Sequence, residues 1–129
     1  MKKEIKTKDK TFTFEFEMAE TLVPVFVNLI KTLFETIDDI SNIEEDKMKQ
    51  LEILRQNKEY TNPSFSAIQN DLRIYDFIKF ATEDVINRTL FSCEKPGDYH
   101  YVVTYETLST LLRNVDFLNF TIQKNAYEY

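Results

Sequence analysis

The stretch that most constrains this chain is Leu22 to Ile40, which reads L-V-P-V-F-V-N-L-I-K-T-L-F-E-T-I-D-D-I. Leu22, Phe26, Leu29, Leu33, Ile37 and Ile40 recur at helical spacing, with Val23, Val27, Ile30 and Phe34 beside them. An apolar arc that wide predicts a helix buried over most of its surface, so the other segments must pack around it. Thr21 is the expected N-cap, and Pro24 falls in the first turn, where a missing N–H costs little. The helix is expected to end at an acidic elbow. Glu35, Asp38 and Asp39 close it, and Ser41-Asn42-Ile43-Glu44 reads as a capping box opening a second helix with Glu44, Glu45 and Asp46 in its first turn.

The flanking segments give the rest of the expected fold. Phe12, Phe14, Phe16 and Met18 alternate with Thr11, Thr13, Glu15 and Glu17, the pattern of a half-buried strand. Glu4 to Thr7 can pair with it across Lys8–Asp9, although that turn has no Gly or Asn. The second helix is expected over 43–60, on the outside of the fold, with a thin stripe of Ile43, Met48, Leu51 and Leu54. Thr61-Asn62-Pro63 ends it. Ser64 or Ser66 then caps a third helix over 66–91, with Ile68, Leu72, Tyr75, Phe77, Ile78, Ala81, Val85 and Leu90 as core candidates. Lys95-Pro96-Gly97-Asp98 reads as a type II turn around the one Gly of the chain. Tyr99 to Tyr105 is strand by propensity and is the expected partner of Thr11–Met18. In the last segment Leu108, Leu111, Leu112, Val115, Leu118 and Ile122 form a helical stripe, while Phe117 to Ile122 also fits a strand; the longer stripe favours the helix.

With 129 residues, of which 43% are hydrophobic, the chain fits one domain with one core and is too apolar for disorder. The expected class is therefore mainly α: a single domain of about four helices over 1–129 with a small antiparallel sheet.

Charge and composition narrow the function. The net charge is −6; residues 1–10 carry five Lys against Glu4 and Asp9, so they are +3 and the remainder is −9. An acidic body disfavours a phosphate backbone and suits a basic protein surface. Acidity for solubility alone is the plain alternative. The single Cys93 excludes an intrachain disulfide and a Cys-based zinc site. The acidic run is no calcium loop, because Ile stands where an oxygen ligand is needed and no Gly makes the turn. His100 is the sole His, and one Gly cannot build a phosphate loop. No cofactor, metal site or catalytic residue is expected, and an enzyme is disfavoured, with carboxylate-only hydrolysis the one chemistry left open. No window has the roughly 20 apolar residues of a membrane span, and Glu15, Glu17 and Glu20 interrupt the approach to Leu22, so a soluble, cytoplasmic protein is expected. Abundant Lys, Asn, Ile, Phe and Tyr have AT-rich codons, pointing to a low-GC bacterium or its phage.

Two surfaces are candidates for partner binding. One is the acidic elbow of Glu35, Asp38, Asp39, Glu44, Glu45 and Asp46. Acids at a helix N-terminus are favoured by the dipole, which accounts for Glu44 to Asp46 but not for Asp38 and Asp39. The other is Tyr99, Tyr101 and Tyr105, which share a face if extended, with Tyr127 and Tyr129 at the tail; the same rings also suit a sheet face covered by a helix. The expected function is a non-enzymatic acidic module that binds a basic, nucleic-acid-handling protein and modulates or inhibits it, as a phage inhibitor of host defence does. The alternative is a phage-type assembly protein acting as a homo-oligomer.

Overall fold

The computed structural model describes residues 1–128, with side chains through residue 124. Among these residues the chain runs β1 (Lys2–Lys6), β2 (Thr11–Glu17), a single 3-10 turn (Glu20–Leu22), α1 (Val23–Gln56), α2 (Pro63–Phe91), β3 (Glu94–Gly97), β4 (His100–Thr104) and α3 (Tyr105–Glu128). The class is mainly helical with a small sheet, built from three long helices rather than about four.

The first hairpin closes without Gly because Thr7 does the work. Its N–H donates to the Lys10 carbonyl at 2.8 Å, and its Oγ1 accepts from the Lys10 N–H at 3.2 Å. β1 then pairs antiparallel with β2, Ile5 opposite Phe12. The sheet order is β1-β2-β4-β3, and β4 lies parallel to β2, with Phe14 opposite Tyr101 and Phe16 opposite Val103. The expected partner of β2 is thus correct, but the sheet is mixed, not antiparallel. The reason lies in the connection. α1 returns along the sheet, α2 retraces α1, and β3 reverses the chain once more before β4. Both sheet edges are blunted: β1 carries Lys2, Lys3 and Lys6, and β3 carries Pro96.

The core lies between one sheet face and the helices. Phe14, Phe26, Ile30, Val103 and Leu111 are fully buried there. Phe26 packs on Phe16 and Phe14, with ring centroids 5.7 and 5.4 Å apart, and Phe34 stacks on Phe12 at 5.0 Å. As α1 advances, its strand partners step backward, so helix and strand are antiparallel. The expected stripe of the last segment is realised as one helix: Leu108, Leu111 and Leu118 are buried, and Val115 and Ile122 are half-buried.

The expected break after Ile40 does not occur, because α1 continues through Ser41 and Asn42 to Gln56. No Gly or Pro interrupts the run, and continuing it keeps the backbone ladder intact while extending the seam with α2. That seam steps through Leu33, Ile37, Ile40, Glu44, Lys47, Leu51 and Leu54, alternating four and three residues as in a two-helix coil. Lys47 Nζ lies 3.2 Å from Asp71 Oδ2, and Lys79 Nζ lies 3.5 Å from Glu44 Oε1. Ion pairs therefore fill two layers where apolar residues were sought. Ile43 and Met48, expected in the stripe, are instead exposed.

Two other boundaries shift for local reasons. α2 starts at Pro63, capped by Asn62, whose Oδ1 accepts from the Ser64 N–H at 3.0 Å; Ser64 and Ser66 lie inside the helix. Likewise α1 has Leu22 at its N-cap with no side-chain bond, so Thr21 does not serve. Among the described residues no member of the main core cluster, the one that includes the sheet, falls between 38 and 80. The distal halves of α1 and α2 therefore form an arm, with Ile40, Leu51 and Ile68 buried between the two helices.

Candidate functional site

The elbow carboxylates become a ridge once the helix is continuous. At about 100° per residue, Glu35, Asp38, Asp39, Glu45 and Asp46 fall within one outward stripe over roughly 16 Å of axis, and Glu44 falls on the opposite side. Burial agrees: Glu35, Asp39, Glu45 and Asp46 are exposed and Asp38 is half-exposed, whereas the Glu44 side chain is only 13% exposed. Glu44 is therefore a seam residue and not part of the ridge. A hydrogen bond shared with the Asp76 carboxyl, and then burial, hold its carboxyl above the ordinary value, against the pull of Lys79. Its Oε1 is buried and makes no hydrogen bond, although Lys79 is at ion-pair distance.

On the ridge only Glu45 is paired, 3.5 Å from Lys49. Among the described residues, Glu35, Asp38, Asp39 and Asp46 make no ion pair. The ridge sits where the arm leaves the body, far from either helix terminus, so the dipole neither favours nor opposes it.

The tyrosines do not form one strand face. The strand ends at Thr104, and Tyr105 opens α3, where it is exposed. Tyr101 points into the core, 9% exposed, beside Phe12 and Phe14. Tyr99 lies in the β3–β4 turn with φ 55°, and Gly97 does not take a positive φ. The expected turn at Lys95–Asp98 is thus displaced by two residues, and a bulky side chain carries the left-handed conformation. Tyr127 and Tyr129 lie outside the described side chains.

Tyr99 and Tyr101 do meet at a cavity of about 270 Å³, together with Phe12, Phe34, Lys10 and Glu83. Phe12 stacks on Phe34 and meets Tyr99 edge-on at 5.6 Å. Lys10 Nζ sits 5.1 Å from the Tyr99 ring centroid, and Lys95 Nζ sits 5.9 Å from that of Tyr101. A second hollow shares Lys10, Phe12, Phe34 and Ile37 with this cavity and reaches Asp38 on the ridge.

Sequence reasoning missed a third surface. Phe77, expected in the core, is 41% exposed, and Phe80, Phe117 and Phe120 are exposed further. Phe77 and Phe117 flank a cavity of about 130 Å³ between α2 and α3, above Ala81 and Leu118. The signal was a Phe at each of two positions i and i+3 on both helices, off the main stripe.

The remaining chemistry-bearing residues have local roles. His100 Nε2 is 3.3 Å from Glu15 Oε2 on the outer sheet face, without a hydrogen bond of good geometry. The Cys93 thiol donates to the Thr89 carbonyl at 3.4 Å, and burial pushes its pKa up. Among the described residues, no three His, Cys, Asp or Glu side chains converge as metal ligands, and no helix is long and apolar enough to cross a membrane. Compared with protein-family models, with curated proteins and with solved structures, the chain matches none.

Proposed function

We propose that this protein is a non-enzymatic interaction module whose acidic ridge docks on a basic surface of a protein partner, a nucleic-acid handler, and modulates or inhibits it. The observation that carries this reading is the run of unpaired carboxylates at Glu35, Asp38, Asp39 and Asp46 in mid-helix. Like charges at Glu35 and Asp39 are spaced i,i+4 and cost a helix about 0.2–0.5 kcal/mol. A partner's Lys and Arg side chains would remove that cost and add complementarity.

The test starts with affinity capture from the source cell to obtain the partner, followed by association kinetics. Asp38→Lys with Asp39→Lys lowers the association rate, because exposed rim charges act mainly by steering. The wild-type rate falls as ionic strength rises from about 0.1 to 1 M, over which the Debye length shrinks from ~10 to ~3 Å. Unchanged kinetics at both salt levels would reduce the ridge to a solvated helix face.

A second reading is self-assembly, favoured by the exposed Phe77, Phe80, Phe117 and Phe120 on adjacent helices. Exposed apolar patches of this kind mark protein contacts. Light scattering at two concentrations decides it: a monomer at both removes this reading, and a dimer abolished by Phe80→Ser with Phe117→Ser supports it.

A further inference from the structure

The hollow that starts at Asp38 on the ridge ends at the aromatic cavity, and Lys10, Phe12, Phe34 and Ile37 line both parts. Three features of that cavity point to a cation. Four aromatic side chains, Phe12, Phe34, Tyr99 and Tyr101, contribute to its lining, and an aromatic ring attracts a cation to its face. Glu83 on its lining makes no ion pair among the described residues. And a cation already rests there: Lys10 stands over Tyr99, from an exposed turn, with no carboxylate partner among the described residues. Tyr99 is held in place by a left-handed backbone that a bulky residue rarely adopts, while Gly97 nearby is left out of that conformation.

We propose that this cavity is the seat for one Arg or Lys side chain of the basic partner, and that Lys10 occupies it in the free protein as an internal stand-in. This rests on the reading that the partner is basic. The incoming guanidinium or ammonium lies on the Tyr99 ring, with Phe34 and Phe12 beside it and the Glu83 carboxylate as counter-charge. Lys10 swings out on its flexible stem. Because only molecules with Lys10 displaced are competent, the apparent affinity is reduced by the fraction that is free. The ridge guides the basic segment to the hollow, and the cavity selects one side chain from it.

The stand-in gives the proposal a signature of definite sign. The full chain is titrated with tetra-arginine amide, and the ring and amide resonances of Phe12, Phe34 and Tyr99 are followed by NMR. They shift saturably. Lys10→Ala tightens binding about two- to fivefold, the worth of one exposed cation–π contact. Tyr99→Leu weakens it by a similar factor or more. Asp38→Lys with Asp39→Lys weakens overall binding yet leaves the pattern of ring shifts at saturation unchanged. Weaker or unchanged binding in Lys10→Ala would overturn the proposal, because removal of a cation that occupies the seat can only favour a second cation there. Response of the ridge amides with silent rings would overturn the seat while leaving the basic-partner reading standing. Silence at both would end both. Should Tyr99→Leu fail to fold, Lys10→Ala, on an exposed turn, carries the test alone.

Discussion

Replacing Glu44 by Leu is expected to stabilise this protein, although it removes an ion-pair partner. Glu44 occupies a seam position between Ile40 and Leu51, with its side chain 13% exposed. Burying a Leu side chain fully is worth about 1.5–3 kcal/mol, so most of that is available at this site. The loss is the Glu44–Lys79 pair. Lys79 is 31% exposed and can carry its ammonium to water, so the loss is about 0–1 kcal/mol. The like charge of Asp76, which opposes ionisation of Glu44, is relieved as well. The net is a gain of about 1–2 kcal/mol, read as a rise of roughly 0.5–1 M in the urea midpoint at neutral pH.

The pH dependence supplies a check on the cause. The folded-state pKa of Glu44 is raised, first by the hydrogen bond with Asp76 and then by burial. The folded state therefore holds this proton more tightly than the unfolded chain does. Its contribution to stability is full below the ordinary carboxylate value and is lost as pH rises through the raised one. The advantage of Glu44→Leu over wild type must accordingly shrink as pH falls toward the ordinary carboxylate value. A destabilised variant at neutral pH would refute the reasoning, because the ionised Glu44–Lys79 pair would then be worth more than the desolvation it costs. An advantage that does not change with pH would remove Asp76 from the explanation.

Two further predictions test the core assignment. Leu33→Ala, at a position 7% exposed, lowers stability by about 2–5 kcal/mol, whereas Phe77→Ala, at a position 41% exposed, costs clearly less; equal urea midpoints for the two variants would contradict the packing described. Cys93 reacts with a thiol reagent at least about tenfold more slowly in the native protein than in urea, because burial raises its pKa and the thiol is engaged with Thr89; equal rates would show the β3 edge to open freely.

Much of the fold is written in periodicity. Phe12, Phe14 and Phe16 announce β2, Leu108 to Ile122 announce α3, and Pro24 marks the first turn of α1, whereas Pro63, read as the end of a helix, is the first residue of α2. The failures have specific causes. Hydrophobic pattern cannot register Glu44 and Lys47 as seam residues, because what qualifies them is a partner on α2 some 24 to 35 positions away. With those two read as polar surface, Ser41 to Glu44 looked like a cap. β3 was invisible for a related reason: Glu94-Lys95-Pro96-Gly97 has no strand propensity and is a strand only because β4 pairs with it. The identities of the ridge carboxylates were legible, but their arrangement was not, since it depends on whether the helix breaks. Tyr99 and Tyr101 were singled out for a shared face and instead meet around a cavity, which no local pattern encodes.

The continuity of α1 also changes what its charges mean. With a break after Ile40, Glu44 to Asp46 would sit in a first turn, and the dipole would explain them. In a 34-residue helix the same residues are in the middle, and that explanation is gone. The chain does use the ordinary remedy for helix charges farther along, where Glu45 pairs with Lys49 and Glu52 with Arg55. It does not use it at Glu35, Asp38 and Asp39, where Asn42 and Ile43 stand four residues on from the two Asp. Solubility alone would not distinguish these turns from the next two, because both are exposed and both are rich in charge. Position differs too: Asp38 borders the hollow that leads to Tyr99, whereas the Glu45–Lys49 pair and the unpaired Asp46 lie out along the arm. On the proposed docking, the unpaired carboxylates at Glu35, Asp38 and Asp39 would draw a cationic segment toward the hollow that Asp38 borders.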